Sequence, residues 1–275
     1  MTARPKRALG QNFLVDPALR RRIVEAVQLQ PGETVLEIGP GRGALTEGLV
    51  AEVEAKGGHL LLVELDDALA AELAERYAGL PAVTVYHRSI LDLPLEEVTT
   101  DPSALKVVGN IPYNLTSPIL FHLLARPRPR EALLMVQKEV ADRILSPPGS
   151  REYGALSVGV RTVAEVDRVL TLGPGAFRPR PKVDSTVIRI RPLRPLPLTE
   201  EEERRLRDLT RSVFQWRRKQ LAKILRDHPD LGLGEGGVAR ALAAAGAAPA
   251  ARPGELSPER FLAMARAIAA EAADR

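Results

Sequence analysis

The chain has 275 residues, 45% of them hydrophobic, a formal net charge of +4 and no cysteine. That length supports one or two domains with a buried core, and the apolar fraction argues against disorder. The missing cysteines exclude disulfides, thiolate metal sites and cysteine nucleophiles. With no apolar run near ~20 residues and no secretory leader, the sequence predicts a cytoplasmic protein without a membrane span.

Residues 1–15 form a basic arm with Arg4, Lys6 and Arg7 and little periodicity. Asp16-Pro17 reads as the cap and first position of a helix over 17–28. Pro31-Gly32 turns the chain into a short buried strand, Thr34–Ile38. A glycine loop and a helix over about 43–55 follow. His59–Glu64 is a second strand, leading to a helix from Asp66 to Tyr77. Val83–Tyr86 and Leu105–Gly109 are the third and fourth strands. Ser117-Pro118 opens another helix by the same cap-then-proline signal. Ala132–Val136 is a fifth strand, with a helix to about Leu145, and Gly154–Val163 reads as helical. Val166–Leu172 and Val183–Arg191 are the last strands; no helix fits between them, so they are expected to be antiparallel. The alternation predicts an α/β fold, a parallel sheet covered by helices.

Pro192, Pro195 and Pro197 mark a linker. Beyond it, Thr199 with Glu202 makes a capping box, and Leu206, Leu209, Val213 and Trp216 keep one helical face. Ser257-Pro258 opens a last helix. The expected organisation is a domain over 1–194 and a small all-helical domain over 195–275.

Charge is uneven. From Arg178 to Arg226 there are fifteen basic residues against six acidic ones, a local net of +9. Arg outnumbers Lys 32 to 7, and a guanidinium forks onto phosphate as an ammonium cannot. The segment suits a polyanion such as nucleic acid, and a solvated Arg-rich surface explains it equally well.

Two motifs carry chemistry. Glu37-Ile38-Gly39-Pro40-Gly41-Arg42-Gly43 sits between a strand and a helix, where glycines let backbone approach a ligand. Glu64 ends the next strand, where a carboxylate can accept from ribose hydroxyls. This favours a nucleoside site, without separating NAD from S-adenosylmethionine. Asn110-Ile111-Pro112-Tyr113 follows the fourth strand, at the sheet edge where such folds bind ligands. The Asn110 carboxamide oxygen and a carbonyl beside Pro112 can both accept from an exocyclic amine, aiming its lone pair at an electrophile. Tyr113 offers a ring for stacking.

These stretches resemble a known family. Glu37-x-Gly39-x-Gly41-x-Gly43 is similar to the S-adenosylmethionine loop of class I methyltransferases. Asn110-Ile-Pro-Tyr113 resembles the signature of amino methyltransferases that act on adenine. Gln11-Asn12-Phe13-Leu14, Phe177-Arg-Pro-Arg-Pro-Lys-Val-Asp-Ser185 and Phe214 with Arg217-Arg218-Lys219 narrow the resemblance to ribosomal RNA adenine N6,N6-dimethyltransferases, in particular the bacterial 16S rRNA branch.

The resemblance implies a Rossmann-like class I S-adenosylmethionine-dependent sheet with a C-terminal helical domain. It implies dimethylation of two adjacent adenosines in the 3′-terminal hairpin loop of 16S rRNA, on the 30S subunit or its assembly intermediate, by a monomer without metal. Cofactor contacts carried over are Asn12, Leu14, Gly39, Gly41, Glu64 and Asn110. Ser89 stands where the family has an Asp for the cofactor's adenine amine, with Asp92 as the alternative. Asn110, Pro112, Tyr113 and Phe177 would be catalytic, with Tyr113 and Phe177 sandwiching the base. Arg217, Arg218 and Lys219, on a helix, would bind RNA. Phe13 either packs the arm or touches the cofactor; Phe214 and Trp216 read as core. The alternatives are an Erm-type 23S rRNA methyltransferase, a non-catalytic assembly factor and, least supported, an NAD dehydrogenase.

Overall fold

The computed structural model describes residues 12–196 and 198–273, so Arg4, Lys6, Arg7, Gln11 and Pro197 lie outside the described residues. The chain divides into two units: residues up to Ala141 with Val166–Pro192, and Asp142–Glu165 with Leu193 onward.

In chain order the strands are β1 (Phe13–Leu14), β2 (Thr34–Ile38), β3 (His59–Glu64), β4 (Val83–His87), β5 (Lys106–Asn110), β6 (Glu131–Gln137), β7 (Ala164–Leu172), β8 (Phe177–Arg178) and β9 (Ser185–Pro192). The helices of the first part are α1 (Pro17–Val27), α2 (Thr46–Lys56), α3 (Asp67–Tyr77), α4 (Thr116–Leu123) and α5 (Lys138–Leu145). A seven-stranded sheet has the order β4-β3-β2-β5-β6-β9-β7. Strands β2 to β6 pair in parallel, and β9 runs antiparallel to β6. Strands such as β3, with five of its six residues buried, are covered on both faces, so they read as unbroken apolar runs.

The expected helix starts follow the side-chain chemistry at α1 and α3. Asp16 accepts from the Ala18 and Leu19 amides at 2.9 and 3.0 Å, and Asp66 does the same for α3. Helix α4 differs from expectation. Ser117 is not its cap, because the helix begins at Thr116 after the uncapped Leu115. Pro118 is tolerated in the first turn, where a missing N–H breaks no helical bond.

The strand order reverses between β2 and β5, whose neighbours on either side are β3 and β6. At such a switch point the connections leave in opposite directions and open a crevice beyond the carboxyl ends of the strands. The glycine loop after β2 and the Asn110 motif after β5 meet there.

The second unit departs from the expected single boundary near residue 194. Besides α7 (Glu200–Gln215), α8 (Leu221–Asp227), α9 (Glu235–Ala244) and α10 (Pro258–Ala273), it takes in Asp142–Glu165 with α6 (Ala155–Arg161). Aromatic packing is the reason. Tyr153 is fully buried, its ring lies 6.2 Å from Phe214 in edge contact, and Phe214 lies 5.6 Å from Phe261. The Tyr153 hydroxyl donates to the Leu256 carbonyl at 2.7 Å. Phe214, itself half-buried, thus packs between the two buried rings, in keeping with the inward face its helical spacing indicated. The capping box expected at α7 is present, with Thr199 and Glu202 each accepting from the other's amide.

Candidate active site

A cleft of about 1050 Å³, open mouth included, lies at the switch point. Its walls include Asn12, Phe13, Leu14, Glu37, Gly39, Gly41, Glu64, Ser89, Asn110, Pro112 and Tyr113. All the expected cofactor residues thus converge on one cavity. The loop that closes it needs glycine. Gly41 has φ +59°, and a Cβ there would sit 3.0 Å from the Phe13 ring. Phe13 in turn lies beneath the Arg42 guanidinium, 4.7 Å from its centroid.

The two carboxylates of the cleft are held differently. Glu64 accepts from the Gly41, Leu65 and Asp66 amides, each at 2.9 Å. Glu37, only 2% exposed, accepts from the Thr46 hydroxyl at 2.7 Å. Burial pushes the Glu37 carboxyl up to about 8, with Glu64 repulsion adding to it and the Thr46 bond opposing it. Among the described residues neither glutamate has a salt-bridge partner. Arg88, which also borders the cleft, is engaged with Glu97 at 2.5 Å. The Glu64 carboxylate, and a Glu37 carboxyl that ionises only beside a positive charge, disfavour an anionic ligand such as a pyrophosphate and suit a cationic one.

The Asn110 motif is braced from outside its own loop. The Asn110 Nδ2 donates to the Asn12 carbonyl at 2.9 Å, which orients the amide and leaves its oxygen as an acceptor. The Tyr113 hydroxyl and the Ser185 Oγ lie 2.7 Å apart, and Ser185 is fully buried. The Tyr113 phenol is pushed up by burial, against the Ser185 hydrogen bond, so it stays protonated at neutral pH. Neither brace was assigned from sequence, although Asn12 and Ser185 both lie in the motifs.

Phe177 corrects an expectation. It is fully buried, belongs to the hydrophobic core with Leu14 and Val187, and is not part of the cleft wall. Strand β8 pairs it with Leu14 of β1, and this pairing turns the ring inward. Of the two rings expected to sandwich the base, Tyr113 lines the cleft and Phe177 does not. Ser89 lines the cleft and accepts from the Leu91 amide at 3.2 Å. Asp92 is exposed and outside the wall.

The basic segment is narrower than its charge indicated. Arg189 is tied to Glu131 at 3.1 Å, Arg205 to Glu201 at 2.6 Å and Arg211 to Asp208 at 3.2 Å. Arg217-Arg218-Lys219 lies in the turn after α7, because that helix ends at Gln215. Arg217 is half-buried and donates to the Ser150 carbonyl at 3.0 Å, while Arg218 and Lys219 are exposed. Trp216 lies 5.0 Å from the buried His228 ring. Among the described residues no cluster of His, Asp or Glu is arranged to hold a metal ion, and no helix is long and apolar enough to cross a membrane.

The sheet order, with this site at its switch point and a helical second unit, defines a Rossmann-like methyltransferase. Its architecture is similar to a dimethyladenosine transferase of Plasmodium falciparum (TM-score 0.75, 25% identity, 92% of this chain and 95% of that one). It is also similar to the 23S rRNA methyltransferase ErmE (TM-score 0.67, 28% identity, 94% and 100%). Residues 2–269 match the family described as Ribosomal RNA adenine dimethylase, and the chain belongs to that family. Ribosomal RNA small subunit methyltransferase A of Nitratidesulfovibrio vulgaris is 42% identical over 275 residues, covering 99% of each chain. The protein of the same name from Aromatoleum aromaticum is 41% identical over 240 residues, 85% of this chain and 88% of its relative.

Proposed function

We propose that this protein uses S-adenosylmethionine to dimethylate N6 of two adjacent adenosines in the 3′-terminal hairpin loop of 16S rRNA, during assembly of the small ribosomal subunit in the cytoplasm. The orientation of Asn110 carries the reading. With its Nδ2 committed to Asn12, its oxygen is the group left to accept from an adenine amine.

Asn12, Leu14, Gly39, Gly41, Glu64 and Ser89 would hold the cofactor, which supplies a methyl group on a cationic sulfur. Three amides occupy the Glu64 carboxylate, leaving about one of its four acceptor positions for a ribose hydroxyl. Ser89, from the cleft wall, would accept from the cofactor's adenine amine. The cationic charge of this cofactor fits the unpaired Glu37 and Glu64; the pyrophosphate of NAD does not.

For the target base, the Asn110 oxygen and a carbonyl at Ile111 or Pro112 would accept both amine hydrogens. Tyr113 would stack on one face of the ring, held by Ser185. No strong base is required, since the proton leaves to water once the nitrogen is methylated. An adenosine in a loop leaves its stack at less cost than one in a duplex. Exposed Arg218 and Lys219, with Arg180 and Lys182 of the loop before Ser185, would contact rRNA phosphates.

The 42% identity to a small-subunit methyltransferase over essentially the whole chain favours this substrate over the 23S rRNA named for ErmE. The test is mass spectrometry of 16S rRNA from a strain lacking this gene, complemented with the wild type or with Asn110→Ala. Dimethyladenosine restored only by the wild type is expected. Restoration by both would remove Asn110 from the chemistry, and restoration by neither would overturn the reading.

A further inference from the structure

Glu37 is a buried carboxyl whose part in the reaction above is only a charge match to the cofactor. It borders the cleft from the end of β2. Its strand neighbours in the sheet are the apolar Leu62 and Val108. The polar groups around it are the Thr46 hydroxyl from α2, the Glu64 carboxylate from β3 and the Tyr77 phenol from α3. Among the described residues no cation faces it. A carboxyl in such surroundings is neutral unless a positive charge arrives.

We propose that Glu37 is the residue by which the cleft distinguishes the sulfonium cofactor from its thioether product: its buried carboxyl, which borders the cleft with no cation beside it among the described residues, balances the positive charge on sulfur and has none to balance once the methyl has left. The inference rests on the reading of the cleft as the S-adenosylmethionine site. No covalent step is added. The proton that Glu37 gives up goes to solvent on cofactor binding, and one returns from solvent when the sulfur becomes neutral. S-adenosylhomocysteine carries the same nucleoside and amino-acid groups, so their own titrations cancel in the comparison. Only the charge on sulfur differs.

The shifted carboxyl, near 8 in the ligand-free protein, sets the pH window. Below it, binding that releases one proton strengthens about tenfold per pH unit; above it, the dependence flattens. The experiment is isothermal titration calorimetry of the full chain with S-adenosylmethionine and with S-adenosylhomocysteine, from pH 6 to 9 and in buffers of different ionisation enthalpy. About one more proton released for the first ligand is expected, with its affinity relative to the second rising up to ~100-fold between pH 6 and 8. Glu37→Gln should abolish that difference. Thr46→Val removes a hydrogen bond to the carboxylate and should move the break to higher pH.

Equal proton release for the two ligands overturns the proposal while leaving the cofactor reading intact. So does a difference that persists in Glu37→Gln. If neither ligand binds, the methyl-donor reading falls and this inference falls with it. The wild-type comparison decides even if a variant does not fold.

Discussion

The brace between Tyr113 and Ser185 gives a prediction that can be worked from the two burials. The hydroxyls are 2.7 Å apart; Tyr113 is half-buried and Ser185 is fully buried. Ser185→Ala leaves a phenol that can still reach water, so folding stability should fall by about 0.5–1.5 kcal/mol, the net value of one hydrogen bond. Tyr113→Phe instead strands a buried serine hydroxyl, which costs about 1–3 kcal/mol. The double variant removes both groups, so it should be little worse than Tyr113→Phe, with a coupling of about 1 kcal/mol between the sites. Neither change alters charge at neutral pH, because burial keeps the phenol protonated. In catalysis the ring of Ser185→Ala keeps its surface and loses its anchor. Misplacing the base by the same ~0.5–1.5 kcal/mol in the transition state lowers kcat about 2–13-fold. Urea unfolding of the four proteins and single-turnover methyl transfer to unmethylated small subunits provide the numbers. A coupling near zero together with a wild-type kcat in Ser185→Ala would refute the brace.

Three further outcomes follow from the same geometry. Gly41→Ala forces an L side chain into φ +59° against Phe13; a cost of about 1–2 kcal/mol in the loop should weaken S-adenosylmethionine binding about 5–30-fold by calorimetry, and an unchanged affinity would contradict this. For Glu37 the folded value near 8 lies above the ordinary 4.5. The folded state therefore holds a proton that the unfolded chain has lost, and stability declines as pH rises between those values. Glu37→Gln should match the wild type at pH 4.5 and exceed it at pH 9 in the absence of cofactor, by a few kcal/mol; parallel thermal-melting curves across that range would be the contrary result. Arg218→Ala and Lys219→Ala should each lower the salt slope of rRNA binding by about one, whereas Arg217→Ala, which loses the Ser150 carbonyl contact, should lower thermal stability first.

The local signals were legible because they are local. Asp16 and Asp66 cap the helices they precede, the glycine loop lies beyond β2 and Asn110 ends β5, as an alternating βα pattern requires. What could not be read depends on contacts between distant segments. Strands β1 and β8 are two residues each and exist only through each other, and their pairing is what buries Phe177. The motif resemblance instead implied a ring against the target base. Asp142–Glu165 reads as a continuation of the sheet domain until Tyr153 meets Phe214 and Leu256. Arg217 cannot be told from Arg218 by composition, yet one holds a carbonyl and the other faces solvent. The pairing of Asn110 with Asn12 spans 98 residues, and no periodicity reports it.

The central claim is tested most directly by incubating the purified protein and S-adenosylmethionine with small ribosomal subunits that lack dimethyladenosine. The RNA is then digested and its nucleosides weighed by mass spectrometry, with naked 23S rRNA treated in parallel. The account predicts N6,N6-dimethyladenosine at two adjacent positions near the 3′ end of the small-subunit RNA, absent with Asn110→Ala. Methylation confined to 23S rRNA, or none on either RNA, would contradict it.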